Sequence, residues 1–157
     1  MSRAISDLAP FFKPKAQVFL SRCEAAGYPL RITRTLTTEL VQGALYAVGR
    51  RPLTIEEERA LREEGLYPDS LMRVRTNAER ADATPHGPIW EGKALGFDVV
   101  PLINGQPWWA APDNVWKAIY KIAEQCGLDA LGDRWGQFMS QDKGHFQEPG
   151  WWLLKGV

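Results

Sequence analysis

The segment that most restricts the fold is the mostly apolar, β-favouring run ALGFDVVPLI at residues 94–103. Its length and its Val and Ile content predict a strand, and the Asn104-Gly105 pair that follows is a turn signal. One acid, Asp98, interrupts the run, and a carboxylate within a buried strand is costly unless it is paired, hydrogen-bonded or bound to a metal. The run therefore predicts a largely buried strand whose acid either pairs with a nearby arginine or backbone amide or faces a cleft.

The remaining periodicity places helices around this strand. Apolar residues recur at helical spacing in three stretches, residues 14–26, 37–48 and 113–126. Asp113 is the expected N-cap of the last helix. Leu30 and Ile32 alternate with polar residues and predict a short strand, and residues 71–76 predict another. Because strands and helices are mixed without strict alternation, we expect the α+β class, with an antiparallel sheet flanked by helices.

Residues 51–70 form a charged, helical excursion within what we expect to be a single domain over residues 1–157. Thr54 and Glu57 have the spacing of a capping box, which predicts a short helix through Glu64. The many Glu and Arg residues of this helix are expected to form a solvated face.

Composition excludes several classes of partner. Lys plus Arg and Asp plus Glu both total 19, so the chain lacks the basic excess of a general nucleic-acid binder. No apolar run approaches the ~20 residues of a membrane span, and the N-terminus lacks the apolar core of a secretory signal. The two cysteines, Cys23 and Cys126, are expected to be buried, reduced thiols. We therefore expect a monomer made in the cytoplasm that neither binds nucleic acid nor inserts into a membrane.

The only two histidines, His86 and His145, lie in the same half of the chain as Asp98. Two imidazoles and one carboxylate are the ligand set of an open catalytic zinc site, which keeps a fourth position for water. Such an ion lowers the pKa of its bound water from ~15.7 towards 7. The same ligand set also forms the facial triad of non-haem Fe(II) oxygenases, so residue types alone leave both metals open.

Two further charged residues could take part in catalysis. Asp142 lies three residues before His145, so it could serve as a general base beside the metal, although its polar setting also suits a surface acid. Arg34 follows the first predicted strand, where an arginine could stabilise a negatively charged oxygen or bind a substrate carboxylate. Sequence spacing alone does not single out Arg34 among the basic residues of its half.

Seven short motifs, taken in order, resemble the zinc peptidase family of phage L-alanyl-D-glutamate endolysins and D-alanyl-D-alanine carboxypeptidases. The resemblance as a whole extends from about residue 10 to residue 147. The motifs are Arg34-Thr35, Leu45-Tyr46-Ala47-Val48-Gly49-Arg50, Thr84-Pro85-His86, Gly96-Phe97-Asp98-Val99-Val100-Pro101, Ile103-Asn104-Gly105, Gly132-Asp133-Arg134-Trp135 and Asp142-Lys143-Gly144-His145-Phe146. The resemblance implies the DD-peptidase/hedgehog-like zinc peptidase fold.

The resemblance also implies roles for individual residues. His86, Asp98 and His145 would be the zinc ligands, Asp142 the general base, Arg34 the substrate or oxyanion contact, and Asp133 and Trp135 part of the cleft wall. The implied activity is zinc-dependent cleavage of the L-alanyl-D-glutamate bond in the peptide stems of peptidoglycan by a zinc-activated water. A phage-type enzyme of this kind would be made in the cytoplasm and reach the cell wall through a holin-type pore.

The chain departs from the family pattern in two places. The family usually separates its first His from its Asp by seven positions, whereas His86 and Asp98 are twelve apart. An insertion within residues 87–93 accounts for the difference, and a loop absorbs such length at small entropic cost. Trp90, within this insertion, is a candidate to cover the site or to contact substrate. The charged helix at 51–65 is longer than the family's usual turn.

Two alternatives to the endopeptidase remain besides the Fe(II) enzyme. The first is a D-alanyl-D-alanine carboxypeptidase that uses the same site. The second is a non-catalytic, Trp-rich module that binds cell-wall sugars, because all seven tryptophans lie after residue 89 and indole rings stack on sugars. Trp116, however, lies on the apolar face of a predicted helix, where a core position is expected.

Overall fold

The computed structural model describes residues 1–66, 80–136 and 142–155. Within these ranges the chain is a small α+β domain with four α-helices and an antiparallel sheet. The elements are α1 (Lys13–Ala25), β1 (Leu30–Arg34), α2 (Glu39–Ala47), α3 (Ile55–Glu63), β2 (Gly96–Ile103), β3 (Gln106–Pro107), α4 (Asp113–Gln125), β4 (Asp129–Ala130) and β5 (His145–Gln147). The predicted α+β class is confirmed, and the strand expected at residues 71–76 lies outside the described residues.

The strand predicted from the apolar run is the centre of the sheet. The order is β1-β2-β5-β4, and β3 pairs with the end of β2 as a hairpin. The hairpin turns at Asn104 and Gly105, whose φ angles of 51° and 74° are the positive values that a primed turn requires. The turn signal in the sequence is therefore confirmed.

One face of the sheet packs against α1 and α4 to form the main core. Phe97 of β2 and Phe146 of β5 are fully buried on this face, and Phe19 of α1 lies with its ring centroid 4.7 Å from that of Phe146. Ile119 of α4 belongs to the same cluster. Because side chains alternate along a strand, Asp98 next to Phe97 points to the opposite face of the sheet.

Several details of the predicted helices are wrong. Asp113 is the first residue of α4 and does not cap it; Pro112 occupies the N-cap position, and the Asp113 carboxylate instead accepts from Lys143 Nζ at 3.1 Å. Leu40, one of the apolar residues that recur at helical spacing in residues 37–48, is 50% exposed, because the core covers only the Val41 side of that helix. Trp116, in contrast, is buried in the core as expected.

The two cysteines differ in environment. Cys23 is fully buried, and its burial, with a smaller effect of the Cys126 thiol, raises the pKa of Cys23 to about 12. Cys126 is only half-buried, so the expectation of two buried thiols is confirmed for Cys23 alone. Within the described ranges, no helix is both long and apolar enough to span a membrane.

The described part of the charged excursion packs on α2. The capping box is present, since Thr54 Oγ1 accepts from Glu57 N–H and the Glu57 carboxylate accepts from Thr54 N–H. Most charged residues of α3 are exposed as predicted, although the Glu57 side chain is only 12% exposed. Ala60 and Leu61 are buried in a second apolar cluster with α2 residues such as Leu45. The excursion therefore supports α2 from one side.

We expect Leu61→Ala to lower the free energy of unfolding by about 2–5 kcal/mol, because Leu61 is fully buried in this small cluster and its truncation leaves a cavity. Ile55 is the matched control on the same helix, since it is 80% exposed. Ile55→Ala should change the free energy by no more than about 0.5 kcal/mol. Urea denaturation of both variants measures the difference, and equal effects would mean that α3 does not pack as described.

Candidate metal centre

Three of the candidate site residues lie in one row across the sheet. Arg34 of β1 is directly opposite Asp98 of β2, and Asp98 is directly opposite His145 of β5. Residues opposite one another on antiparallel strands project to the same face, with Cβ atoms about 4.5–5.5 Å apart. The topology therefore places a cation, a carboxylate and an imidazole side by side on the face away from the main core.

A bulge in β1 is responsible for the position of Arg34. Ile32 pairs with Val99, yet Arg34 rather than Thr33 pairs with Asp98, so β1 contains one extra residue at this point. Without the bulge, Thr33 would oppose Asp98 and Arg34 would point towards the core. Bulges beside functional sites re-aim side chains in this way.

His86 reaches the same face from the loop before β2. Gly96 allows this, because a Cβ there would lie 2.9 Å from Cβ of Pro85, the residue before His86. The loop is fixed by backbone bonds on both sides: Leu95 N–H donates to Pro85 C=O at 2.8 Å, and Thr37 N–H donates to His86 C=O at 2.7 Å. The absence of a side chain at Gly96 thus lets the loop lie on the sheet and bring His86 over Asp98.

The three expected ligands converge. Nε2 of His86 lies 3.1 Å from Nδ1 of His145 and 3.1 Å from Oδ1 of Asp98, and the last two atoms are 2.8 Å apart. Ligands bound to one zinc ion at about 2.0–2.1 Å in a tetrahedron lie roughly 3.3–3.5 Å from one another, so a shift of a few tenths of an ångström would admit an ion. This group could hold a metal ion.

The hydrogen bonds on the outer side of the cluster settle which atoms can bind a cation. Nδ1 of His86 faces the Thr35 carbonyl oxygen at 2.8 Å, and Nε2 of His145 faces Gln147 Oε1 at 2.9 Å. Both oxygens only accept, so each outer ring nitrogen carries the proton of the neutral imidazole. The inner nitrogens then present lone pairs to each other and to the Asp98 carboxylate, and three such acceptors converge stably only around a cation or a proton.

The charges in the cluster agree with that interpretation. Burial is the largest influence on Asp98 and opposes its ionisation, but the electrostatic interactions and hydrogen bonds with His86 and His145 together outweigh it and hold the pKa of Asp98 well below its usual value. Burial lowers the pKa of His86. Burial also disfavours charged His145, yet its hydrogen bond to Asp98 outweighs this and raises its pKa. Burial and the neighbouring groups therefore favour an ionised Asp98 and disfavour a protonated His86.

Arg34 is held beside the cluster by neutral partners. Its Nε–H donates to Thr37 Oγ1 at 2.9 Å. Its Nη2 donates at 3.2 Å to Oε1 of Gln42, a residue of α2. Burial lowers its pKa, while the charges of Asp98 and Asp142 act to raise it. A guanidinium has five N–H donors and stays charged in proteins, so Arg34 is oriented by two bonds and remains able to bind an anion.

Asp142 lies in the turn that leads into β5. The His145 N–H donates to Asp142 C=O at 3.1 Å, and Asp142 has a φ of 55°, in the left-handed region that Asp and Asn tolerate better than most residues. The turn is anchored to α4, because Tyr120 Oη donates to Lys143 C=O at 2.9 Å. The Asp142 side chain is exposed, and its charge acts on Arg34 across the site.

The other residues singled out in the sequence have different outcomes. Asp133 is exposed in a short 3₁₀ helix at 131–136, and the Trp135 side chain lies outside what the structure describes. Trp90 packs edge to face on Phe11, with centroids 5.1 Å apart, so the insertion is attached to the α1 end of the core. A role for Trp90 over the site stays a prediction.

Sequence reasoning missed the residues that orient the candidate ligands and Arg34. Thr35 and Gln147 fix the two imidazoles, and Gln42 orients Arg34. Gln147 had one usable signal, since it lies two residues after His145 and an extended backbone places both side chains on one face. Thr35 acts through its backbone carbonyl, which no sequence pattern reveals.

No family model matches the chain, and no curated protein matches it. The resemblance to zinc peptidases thus depends on the order of the motifs.

Proposed function

We propose that the chain is a zinc-dependent peptidase that cleaves the L-alanyl-D-glutamate bond in the peptide stems of peptidoglycan. One observation carries this proposal: two imidazole nitrogens and a carboxylate oxygen, from residues 86, 98 and 145, converge within 3.1 Å of one another. Two histidines and one carboxylate, with an open side, are the ligands of catalytic rather than structural zinc. The open side is consistent with the Asp98 side chain, which is 27% exposed.

The residues around the cluster supply the groups that amide hydrolysis needs. A divalent ion held by the three ligands would lower the pKa of a bound water and polarise the scissile carbonyl. Asp142 takes the proton of the attacking water as general base and returns it to the departing amine as general acid. Its exposed side chain, beside the last ligand in the turn, is accessible to both partners of that transfer.

Arg34 supplies the positive charge on the other side of Asp98. In the proposed reaction its guanidinium stabilises the oxygen that becomes negative, or it binds a carboxylate of the stem peptide. The bonds to Thr37 and Gln42 hold the fork in place before substrate arrives, which is the preorganisation that electrostatic catalysis requires.

We expect Arg34→Met to lower kcat/KM by roughly 10²–10³, the usual effect of losing one preorganised donor, with metal content unchanged. Arg31→Met is the matched control, because Arg31 is on the same strand but exposed, with its guanidinium on the Gly105 carbonyl. Steady-state kinetics on a synthetic stem peptide measures both variants. Equal activity of the two would make Arg34 a structural residue only.

The proposal includes a cellular setting. The enzyme would be made in the cytoplasm and act on the wall after release, by a holin-type pore in a phage. A carboxypeptidase that removes the terminal D-alanine would use the same five residues, and the bond cut distinguishes the two. Trp109 and Trp152 are 76% and 54% exposed, so stacking of these rings on wall sugars is compatible with either activity and with a module that only binds.

Mass spectrometry of purified peptidoglycan after digestion tests the proposal. We expect new L-alanyl C-termini and D-glutamyl N-termini, abolished by a zinc chelator and restored by added Zn²⁺. Release of free D-alanine would instead identify the carboxypeptidase. Binding to the wall without new termini would leave only the Trp-rich module, and activity with Fe²⁺ and oxygen consumption would identify the oxygenase.

A further inference from the structure

A chain of hydrogen bonds leads from the outer nitrogen of His145 away from the cluster. Nε2 of His145 is 2.9 Å from Gln147 Oε1, and Gln147 Nε2 donates to Asp129 Oδ2 at 2.9 Å. The sheet builds this chain directly, because Gln147 follows His145 by two positions on β5 and Asp129 on β4 is opposite Gln147. All three side chains therefore share the face that holds the cluster.

The donors and acceptors in this series of hydrogen bonds can be arranged in only one way. The Asp129 carboxylate accepts hydrogen bonds, so the amide of Gln147 must turn its NH₂ group towards Asp129 and its oxygen towards His145. That oxygen in turn requires a proton on Nε2 of His145. A neutral His145 then has its lone pair on Nδ1, the atom that faces Asp98 and His86.

Burial makes this control effective. Gln147 is 2% exposed, so water competes poorly for its amide. If the amide were flipped, its oxygen would face the Asp129 carboxylate, and two acceptors would lie against each other. His86 differs, since its outer nitrogen donates to the backbone carbonyl of Thr35, which substitution cannot remove. Side chains thus fix the tautomer of His145, whereas the backbone fixes the tautomer of His86.

We propose that Gln147 and Asp129 are positioning residues that fix the tautomer and ring orientation of His145 and thereby set the affinity of the site for its divalent ion. The proposal rests on the metal site proposed above. Outer hydrogen-bond partners of metal-binding histidines hold the ring in place and raise its basicity, and their loss costs roughly 10–100-fold in metal affinity.

The first test measures Zn²⁺ affinity of the metal-free protein by competition with a chromophoric chelator. Gln147→Leu keeps the approximate volume but removes the acceptor, and we expect affinity to fall by roughly 10–100-fold. Glu148→Gln is the matched control, because Glu148 is the next residue but binds Lys15, with both oxygens 2.8 Å from Nζ. Its zinc affinity should equal that of the wild-type chain. Wild-type affinity in a folded Gln147→Leu variant would overturn the proposal.

The second test exchanges the polarity of the pair. Asp129→Asn combined with Gln147→Glu keeps the total charge and restores an acceptor for His145, with the new amide donating to the new carboxylate. We expect zinc affinity at least as high as in the wild-type chain. Zinc affinity as low as that of Gln147→Leu would overturn the proposal. If Gln147→Leu does not fold, the zinc affinity of the double variant relative to the wild-type chain is the deciding measurement. A wild-type chain that binds no zinc would instead refute the metal site itself.

Discussion

His145→Ala is expected to abolish stoichiometric zinc binding and hydrolysis together. The variant leaves two ligands, His86 and Asp98, and removes the lone pair that completes the convergent set. Loss of a ligand should cost more than the roughly 10–100-fold that follows loss of a ligand's hydrogen-bond partner. Metal analysis after dialysis, together with activity on peptidoglycan, measures both effects.

Thermal unfolding gives an independent readout of the same change. A ligand that binds only the folded state at 100 times its Kd adds about 2.7 kcal/mol of stability. Added zinc should therefore raise the Tm of the wild-type chain and leave that of His145→Ala unchanged. His86→Ala should behave in the same way. If either variant kept full zinc occupancy, the histidine replaced in that variant would not be a ligand.

Asp142→Asn is expected to lower turnover by about 10²–10⁴ while zinc content stays at the wild-type level, because a positioned acid–base group contributes that much. Asn is preferred to Ala here, since Asp142 has a positive φ that Asn also tolerates. The backbone of the turn is thus kept while the proton acceptor is lost. Steady-state kinetics and metal analysis on the same preparation separate catalysis from metal binding.

Glu124→Gln is the control for this variant, because Glu124 is an exposed acid on α4 and its neutralisation removes the same charge. It should retain wild-type turnover. Wild-type turnover in Asp142→Asn would assign the proton transfer to another group and leave Asp142 as a surface acid.

The residues of the cluster could be predicted from the sequence because metal chemistry uses few residue types. The chain has two histidines, and Asp98 is the one acid in its best strand. The sequence pattern predicts that strand because it is eight residues long and is followed by a turn signal. β5, which carries His145, has three residues, too few for any periodicity to be recognised.

The orientation of the side chains depends on features with no sequence signal. The bulge that turns Arg34 towards Asp98 is a property of strand pairing, and it became visible only with the register of β1 and β2. The predicted N-cap of α4 is wrong for a related reason. The Asp113 carboxylate accepts a hydrogen bond from Lys143, which is 30 positions away in the sequence, and does not cap the helix. Tertiary contacts of this kind override local preference.

An anomalous difference map from a crystal soaked in Zn²⁺ tests the central claim most directly. We expect one zinc peak about 2.0–2.2 Å from Nε2 of His86, Nδ1 of His145 and a carboxylate oxygen of Asp98, with a fourth position left to solvent. A peak elsewhere, or a zinc-soaked crystal in which these three atoms bind no metal, would contradict it.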